Sequence, residues 1–256
     1  MVQWVRFQHS GESLFGKLDG DSIVVCSGNM FSGPTETGES LALADVTLDI
    51  PCCPSKIVAL WNNSRLAAEK QGLDTPAEPL FFIKASNTYL PSGGVIRKPA
   101  SYDGRVIYEA ELGVVVGREC ANLSAADAVG AIFGYTCVND VTALQILNED
   151  ESFAQWARAK GFDTFGPIGP VIASGVDVSS ANIRAELNGR ERQNYPVSDL
   201  FIGPAELVGR ISRCMTLYPG DIISCGTGPG ALPMKPGATI EVIIDGIGTL
   251  SNTYEA

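Results

Sequence analysis

Two glutamates, Glu109 and Glu111, stand one residue apart in a mostly apolar run from Ile107 to Gly117. The run is rich in β-branched residues and ends on a glycine, which predicts a β-strand. Because side chains alternate between the two faces of a strand, both carboxylates are expected on one face and the apolar residues from Ala110 to Val116 on the other. Two neighbouring carboxylates repel each other and lose hydration when they are buried.

A divalent cation would offset both of these costs. Carboxylate oxygens are hard ligands, which favours Mg²⁺, Mn²⁺ or Ca²⁺ over zinc. The alternative is an edge strand with a wet face and two solvated glutamates.

A second apolar run, from Ala131 to Asn139, is followed by an acid, Asp140. A carboxylate at the end of this predicted strand could converge on Glu109 and Glu111 to form a cluster of three. Asp140 could instead cap whatever helix follows. The paired glutamates upstream favour the metal-ligand interpretation.

Two further positions carry potential ligand contacts. Lys160 lies between apolar and glycine residues, unlike a solvated lysine, although a surface salt bridge is the alternative. The loop Gly226-Thr227-Gly228-Pro229-Gly230 follows a predicted strand but lacks the Gly-Lys-Ser/Thr of a P-loop and any complete dinucleotide pattern. The loop therefore predicts close approach of the Gly226 backbone and the Thr227 hydroxyl to a small anionic ligand.

Composition limits the partners and the compartment. The 256 residues are 45% hydrophobic and carry a net charge of −11 without a cationic block, which argues against a nucleic-acid partner and a polybasic membrane anchor. There is no apolar signal segment, and no run approaches the ~18–20 apolar residues of a membrane span. The seven cysteines include no zinc-type pair, so a reduced, cytoplasmic protein is expected.

The elements that must position these residues form two predicted units. Residues 1–53 are expected to be a small N-terminal β domain with a linker, including a hairpin turn at Asp19-Gly20 and a loop over 26–45. Residues 54–256 are expected to be the main, β-rich domain. Its predicted strands and helices cover 56–60, 65–71 (a helix between caps at Ser64 and Gly72), 80–84, 124–129 (a helix), 168–173, 183–187, 205–213 (a helix), 221–225 and 239–244.

Taken together, these segments resemble the fumarylacetoacetate hydrolase family over about residues 55–256. The resemblance rests on an ordered set of segments: Tyr108-Glu109-Ala110-Glu111-Leu112, Gly134 to Asp140, Lys160-Gly161-Phe162-Asp163 with Gly166-Pro167, and Leu217 to Thr227. A small N-terminal domain is also typical of the bacterial members.

The resemblance implies a β-rich α+β fold built around a rolled mixed β-sheet, usually in a homodimer. It implies Mg²⁺ or Mn²⁺ held by Glu109, Glu111 and Asp140, with Lys160 and Thr227 contacting the carboxylate or developing oxyanion of the substrate. Family substrates are small 1,3-dicarbonyl or 2-oxo acids. The reactions include C–C bond hydrolysis, tautomerisation of 2-hydroxy-dienedioates, and decarboxylation.

The chain departs from the family pattern on the helix after the first main-domain strand. Family hydrolases usually carry there a histidine, with a glutamate three residues later, that activates water. Here Ala67 stands near the expected histidine, while Glu69 is present. The only histidine, His9, lies in the N-terminal unit and is expected to be a surface residue.

A second departure follows the metal aspartate. Many members have an arginine and a glutamine there, whereas this chain has Leu144 and Leu147, with Gln145 out of register.

Three functions are compatible with this pattern. Hydrolysis of a C–C bond in an acylpyruvate- or fumarylpyruvate-like acid ranks first because it is frequent in the family, and Glu69 or a water activated by the metal ion would then replace the histidine. An isomerase or decarboxylase acting on 2-hydroxyhepta-2,4-diene-1,7-dioate-like or oxaloacetate-like acids ranks second, since neither reaction needs activated water. A non-catalytic protein that binds metal and acid is the third.

Overall fold

The computed structural model describes all 256 residues and contains nineteen strands and four α-helices. The helices are α1 (Arg65–Gln71), α2 (Ala125–Ala128), α3 (Trp156–Lys160) and α4 (Pro204–Ser212). The strands are β1 (Val2–His9), β2 (Glu12–Asp19), β3 (Ser22–Ser27), β4 (Thr35–Ala42), β5 (Thr47–Leu48), β6 (Ile57–Trp61), β7 (Leu80–Lys84), β8 (Tyr89–Leu90), β9 (Val95–Arg97), β10 (Val106–Ile107), β11 (Ala110–Val116), β12 (Ile132–Asn139), β13 (Thr142–Ala143), β14 (Gly166–Ser174), β15 (Asn182–Leu187), β16 (Arg190–Pro196), β17 (Ile222–Ser224), β18 (Thr239–Ile244) and β19 (Gly248–Glu255).

A twelve-stranded mixed sheet organises the molecule. Its main path runs β4-β3-β2-β1-β14-β12-β11-β17-β6-β7, with β17 and β6 parallel and the other neighbours along the path antiparallel. A second sheet has the order β16-β15-β18-β19-β9. The mixed, β-rich α+β architecture confirms the fold class expected from the sequence.

The strand that carries Glu111 lies inside the large sheet, between β12 and β17. Every residue of β11 is buried. One face packs in a core cluster of 46 buried residues that includes Leu112 and Val114, and the other packs through Val115 into a second cluster of 10. The alternative of an edge strand with a wet face is therefore wrong.

The predicted continuous strand from Ile107 to Gly117 is interrupted. The strand β10 pairs with β13 in a small separate sheet, whereas β11 pairs with β12, so the chain changes partner across Tyr108 and Glu109. The interruption is invisible in the apolar pattern because the apolar residues on its two sides, Ile107 and Ala110, are both buried.

The N-terminal residues form antiparallel strands, and the Asp19-Gly20 hairpin is confirmed, since Asp19 pairs with Ser22. The loop predicted over 26–45 is wrong for Thr35–Ala42, which forms β4 against β3. This strand is polar and almost wholly exposed at the sheet edge, so it lacks the apolar alternation that marks a strand in sequence.

β1 pairs with both β2 and β14, which joins the N-terminal strands to the main sheet. The boundary between residues 53 and 54 stays a prediction. None of the helices has the length and apolar character needed to cross a membrane.

Candidate metal and substrate site

Glu111 is a fully buried carboxylate in the middle of the large sheet. Its Oε2 accepts hydrogen bonds from Ser224 Oγ at 2.6 Å and from the Gly226 backbone N–H at 2.8 Å. Its Oε1 is buried and has no hydrogen-bond partner. Burial raises the pKa of Glu111 to about 8, with the charges of Asp140 and Glu109 acting in the same direction.

Glu109 and Asp140 complete a cluster of three carboxylates whose nearest oxygens all lie within 4.8 Å of one another. The backbone brings them together because Asp140 N donates to Glu109 O at 2.9 Å, directly after β12. Three hard oxygen donors and an orphaned buried oxygen on Glu111 fit a Mg²⁺- or Mn²⁺-type ion. The side chains that the sequence singled out as metal ligands thus do converge.

Lys160 is the cation that faces this cluster. Its Nζ donates to Asp140 Oδ2 at 2.5 Å, Glu109 Oε2 at 2.6 Å and Thr142 Oγ1 at 2.7 Å, which uses all three ammonium hydrogens. Although burial alone would lower the pKa of Lys160, Asp140 and Glu109 raise it above its ordinary value. Lys160 is therefore a buried, protonated group, and the alternative of a surface salt bridge is wrong.

Lys84 is a functional candidate that the sequence reasoning missed. It is fully buried at the end of β7, and its Nζ donates to Asp140 Oδ1 at 2.6 Å and to Lys160 O at 2.8 Å. Lys84 thus positions both the carboxylate and the helix end that carries Lys160. The available signal was a lone lysine closing the apolar run from Leu80 to Ile83.

In this cluster, burial and the neighbouring charges shift the pKa values of Glu109, Asp140 and Lys84 in opposite directions. Burial raises the pKa of Glu109 despite its contact with Lys160. Burial would also raise the pKa of Asp140, but Lys160 and Lys84 outweigh it and hold that pKa below its ordinary value. Burial lowers the pKa of Lys84, with Asp140 opposing. With all five groups ionised, the three carboxylates and two ammonium groups would carry one net negative charge.

Within the glycine-rich loop, Gly226 supports Glu111 and Thr227 forms part of the cavity wall. Gly226 does not line the cavity. It lies behind Glu111, at φ +92°, where a side chain would be strained. Thr227 lines the cavity, but its hydroxyl donates to Ala110 O at 3.0 Å and accepts from Gln193 Nε2 at 2.9 Å. Ligand contact by Gly226 and Thr227 stays a prediction.

A cavity of about 400 Å³ opens in front of Glu109 and Lys160. Its remaining lining residues come from six separate parts of the chain: Leu60, Trp61, Asn62, Ala67, Lys70, Gln71, Leu73, Phe82, Ile107, Leu144, Leu147, Trp156 and Thr227 to Ala231. The cavity joins the carboxylate cluster to a largely apolar chamber of a size suited to a small molecule.

Glu69 lies outside this cavity. It is exposed on α1, whereas Ala67, Lys70 and Gln71 of the same helix line the cavity, so Glu69 projects from the opposite side. Its role as a base that activates water stays a prediction without support from this arrangement.

Two other positions discussed above can also be located. Ala67, which stands near the expected family histidine, is buried and lines the cavity, where it offers only a methyl group. Gln145 is exposed and accepts from the Tyr102 hydroxyl and the Arg105 N–H, so it does not enter the cavity as a substitute for the family glutamine.

Comparison with known proteins shows the family to which this chain belongs. The family model described as fumarylacetoacetate (FAA) hydrolase C-terminal matches residues 56–255. The chain belongs to the fumarylacetoacetate hydrolase family. A second model, described as Rv2993c-like, N-terminal, matches residues 3–51.

Enzymes with different reactions are among the similar members of this family. The chain is 34% identical to oxaloacetate tautomerase YisK of Bacillus subtilis over 225 residues, which are 82% of this chain and 74% of that protein. The crystal structure of 2-hydroxyhepta-2,4-diene-1,7-dioate isomerase from Mycobacterium marinum matches with a TM-score of 0.91 and 36% identity, over 100% of this chain and 98% of the other. The crystal structure of fumarylpyruvate hydrolase from Pseudomonas aeruginosa, in complex with Mn²⁺ and pyruvate, matches with a TM-score of 0.75 and 28% identity, over 81% and 92% of the two chains.

Proposed function

We propose that this protein is a divalent-metal-dependent enzyme that interconverts the keto and enol forms of a small 2-oxo acid. The observation that carries the proposal is the make-up of the cavity wall. Of its 19 residues, only Lys70, Glu109 and Lys160 have ionisable side chains. Glu109 is paired with Lys160, so the wall offers no free general base for water. Tautomerisation moves a proton without consuming water and therefore suits this wall better than hydrolysis.

The residues have distinct roles in this proposal. Glu109, Glu111 and Asp140 would hold Mg²⁺ or Mn²⁺. When bound, the cation supplies positive charge for oxygens on which an enolate develops negative charge.

Lys160 supplies a second positive charge at the same end of the cavity. Its contact with Glu109 is the one nearest the cavity, because the Glu109 side chain is 17% exposed while that of Asp140 is 1% exposed. Exchange of this contact for a substrate oxygen would place the ammonium of Lys160 against the developing charge. In the enol-to-keto direction the enol O–H would release its proton to solvent, Lys160 would donate a proton to the enolate carbon, and the neutral amine would then take up a proton from solvent.

Hydrolysis of a C–C bond in an acylpyruvate-like acid is the second candidate, and the similarity to fumarylpyruvate hydrolase favours it. The sequence ranked hydrolysis first. The make-up of the cavity favours the opposite order, because Glu69 lies outside it and Ala67, which lines it near the place of the family histidine, has no ionisable group.

The deciding experiment uses chelator-stripped protein with and without Mg²⁺ or Mn²⁺. Loss of enol absorbance is followed for both phenylpyruvate and oxaloacetate, together with CO₂ release from oxaloacetate, and cleavage of an acylpyruvate is followed as pyruvate formation. Metal-dependent enol loss without CO₂ supports the proposal, and the variant Lys160→Met should then lower that rate by ~10²–10³-fold. The exposed Lys235→Met serves as the control with unchanged rate.

Other outcomes select the alternatives. Pyruvate formation as the only activity means hydrolysis, CO₂ release as the only activity means decarboxylation, and silence in all three assays with calorimetrically measured metal binding means a non-catalytic binding protein. The expected homodimer and cytoplasmic location also stay predictions, which gel filtration with light scattering and cell fractionation test.

A further inference from the structure

An aromatic wall begins at Lys160 and runs along the cavity. Lys160 Nζ lies 5.3 Å from the centre of the Phe82 ring. Trp156 stacks on Phe82 with ring centres 5.5 Å apart and planes 13° apart, and Trp61 follows at 5.5 Å from Trp156. Since Trp156 and Lys160 are one turn apart on α3, the charged end and the aromatic surface are parts of one continuous wall.

Further apolar side chains extend this chamber. Leu144 and Leu147 both line the cavity. Leu147 O accepts from Gln155 N at 2.9 Å, which attaches the leucine segment to the residue before Trp156. Ten of the 19 lining residues are hydrophobic.

The only buried cation in the cavity wall is Lys160. Beyond Lys160, the only cation in the wall is Lys70, which is exposed on α1. A carboxylate placed against the aromatic wall would lose hydration and find no buried partner, which is costly. An alkyl or aryl group in the same place gains from burial.

The charge balance at the carboxylate end of the cavity also disfavours a second carboxylate on the substrate. With all five groups ionised, as metal binding requires of the carboxylates, the three carboxylates and two lysines carry one net negative charge, which a divalent cation would convert into one net positive charge. A single substrate carboxylate neutralises it. A second carboxylate would leave an uncompensated negative charge inside the cavity.

We infer that this site selects 2-oxo acids whose other substituent is apolar, alkyl or aryl, over those with a second carboxylate, and that Leu144 and the wall of Phe82, Trp156 and Trp61 determine this choice. The inference rests on the proposed function and names its substrate class. It makes Leu144 a specificity-determining residue.

Binding can be separated from chemistry with two inert probes. Phenylglyoxylate and mesoxalate are both 2-oxo acids without an α-hydrogen, so neither can enolise, and they differ in carrying a phenyl group or a second carboxylate. Calorimetric titration of the Mn²⁺-loaded protein should show phenylglyoxylate binding ~10-fold to 100-fold more tightly, the range expected for burying one aromatic ring.

Substitutions at Leu144 then test its role in selecting the substrate. Leu144→Arg should reverse the preference by weakening phenylglyoxylate and tightening mesoxalate by ~10-fold each, because an arginine in the chamber pairs with a carboxylate. Leu144→Met conserves volume and should keep the wild-type preference. Leu66→Arg adds the same charge on an exposed position outside the cavity and should also keep it.

Failure of this inference and failure of the proposed function would give different results. If mesoxalate binds the wild-type protein as tightly as phenylglyoxylate or more tightly, or if Leu144→Arg folds with an unchanged preference, this inference is refuted while the tautomerase assay still decides the proposed function. If neither probe binds although Mn²⁺ does, both the inference and the 2-oxo acid site are refuted. Circular dichroism of each variant establishes that it is folded before its binding is compared.

Discussion

The buried carboxyl of Glu111 makes the stability of the metal-free protein depend on pH in an unusual direction. The folded state raises the pKa of Glu111 to about 8, chiefly through burial. The folded protein therefore keeps a proton that the unfolded chain releases near pH ~4.5. Folding stability falls as pH rises from that value and becomes level only above the folded pKa.

The size of the change in unfolding free energy follows from the shift in the pKa of Glu111. Between about pH 6 and pH 8 the folded state holds up to one proton more than the unfolded state, at 1.36 kcal/mol per pH unit, with the slope halved near the folded pKa. The metal-free protein should lose about 2 kcal/mol of unfolding free energy over this interval. For a chain of this size that is a fall in Tm of roughly 4–8 °C. Burial also raises the pKa of Glu109, which adds to the same direction.

The assay is urea unfolding of chelator-treated protein at several pH values, repeated with Mn²⁺. Glu111→Gln imitates the protonated carboxyl, so its unfolding free energy should change by less than about 1 kcal/mol over the same interval. Glu119→Gln, on an exposed position, should behave as wild type. Metal must displace the proton, so stabilisation by Mn²⁺ should grow with pH in the wild-type protein. A wild-type stability that is level between about pH 6 and pH 8, or that falls equally in Glu111→Gln, would refute the reasoning.

Three further substitutions test the supports of the site. Lys84→Met should lower the unfolding free energy of the metal-free protein by about 3–5 kcal/mol, because Asp140 Oδ1 loses its buried partner, and a loss below about 1 kcal/mol in urea unfolding would contradict this. Ser64→Ala removes the N-cap of α1, whose hydroxyl accepts from Ala67 N at 3.1 Å, and should cost about 1–2 kcal/mol by the same measurement. Gly228→Ala would place a Cβ 2.4 Å from the Tyr195 ring, so thermal unfolding should show a loss of about 1–3 kcal/mol, whereas an unchanged Tm would contradict the packing argument.

The three carboxylates were accessible from sequence because their placement follows from local rules. Glu111 lies within an apolar strand, and Asp140 comes directly after another. Alternation along one strand and termination of the next are short-range properties, so the pattern predicted their convergence even though the strand is interrupted before Ala110. The helix from Arg65 to Gln71 was likewise predictable, since its caps at Ser64 and Gly72 are adjacent to it.

The predictions from sequence failed where neighbouring residues in the chain gave no indication of the structure. The exposed strand Thr35–Ala42 has no apolar alternation, and it forms through backbone hydrogen bonds to a neighbouring strand. Lys84 is separated from Asp140 by 56 positions, and nothing in its neighbourhood in sequence states that both will be buried.

The chemical groups of the site are thus determined by the sequence itself: three acids, a lysine and a glycine-rich loop. The tertiary structure alone decided what the site faces. Trp61, Phe82 and Trp156 belong to three separate elements and become one wall only when β6, β7 and α3 pack together. The same packing turned Glu69 away from the cavity, because the direction of a helix face depends on where the helix docks, and docking is set by the whole core rather than by the helix sequence.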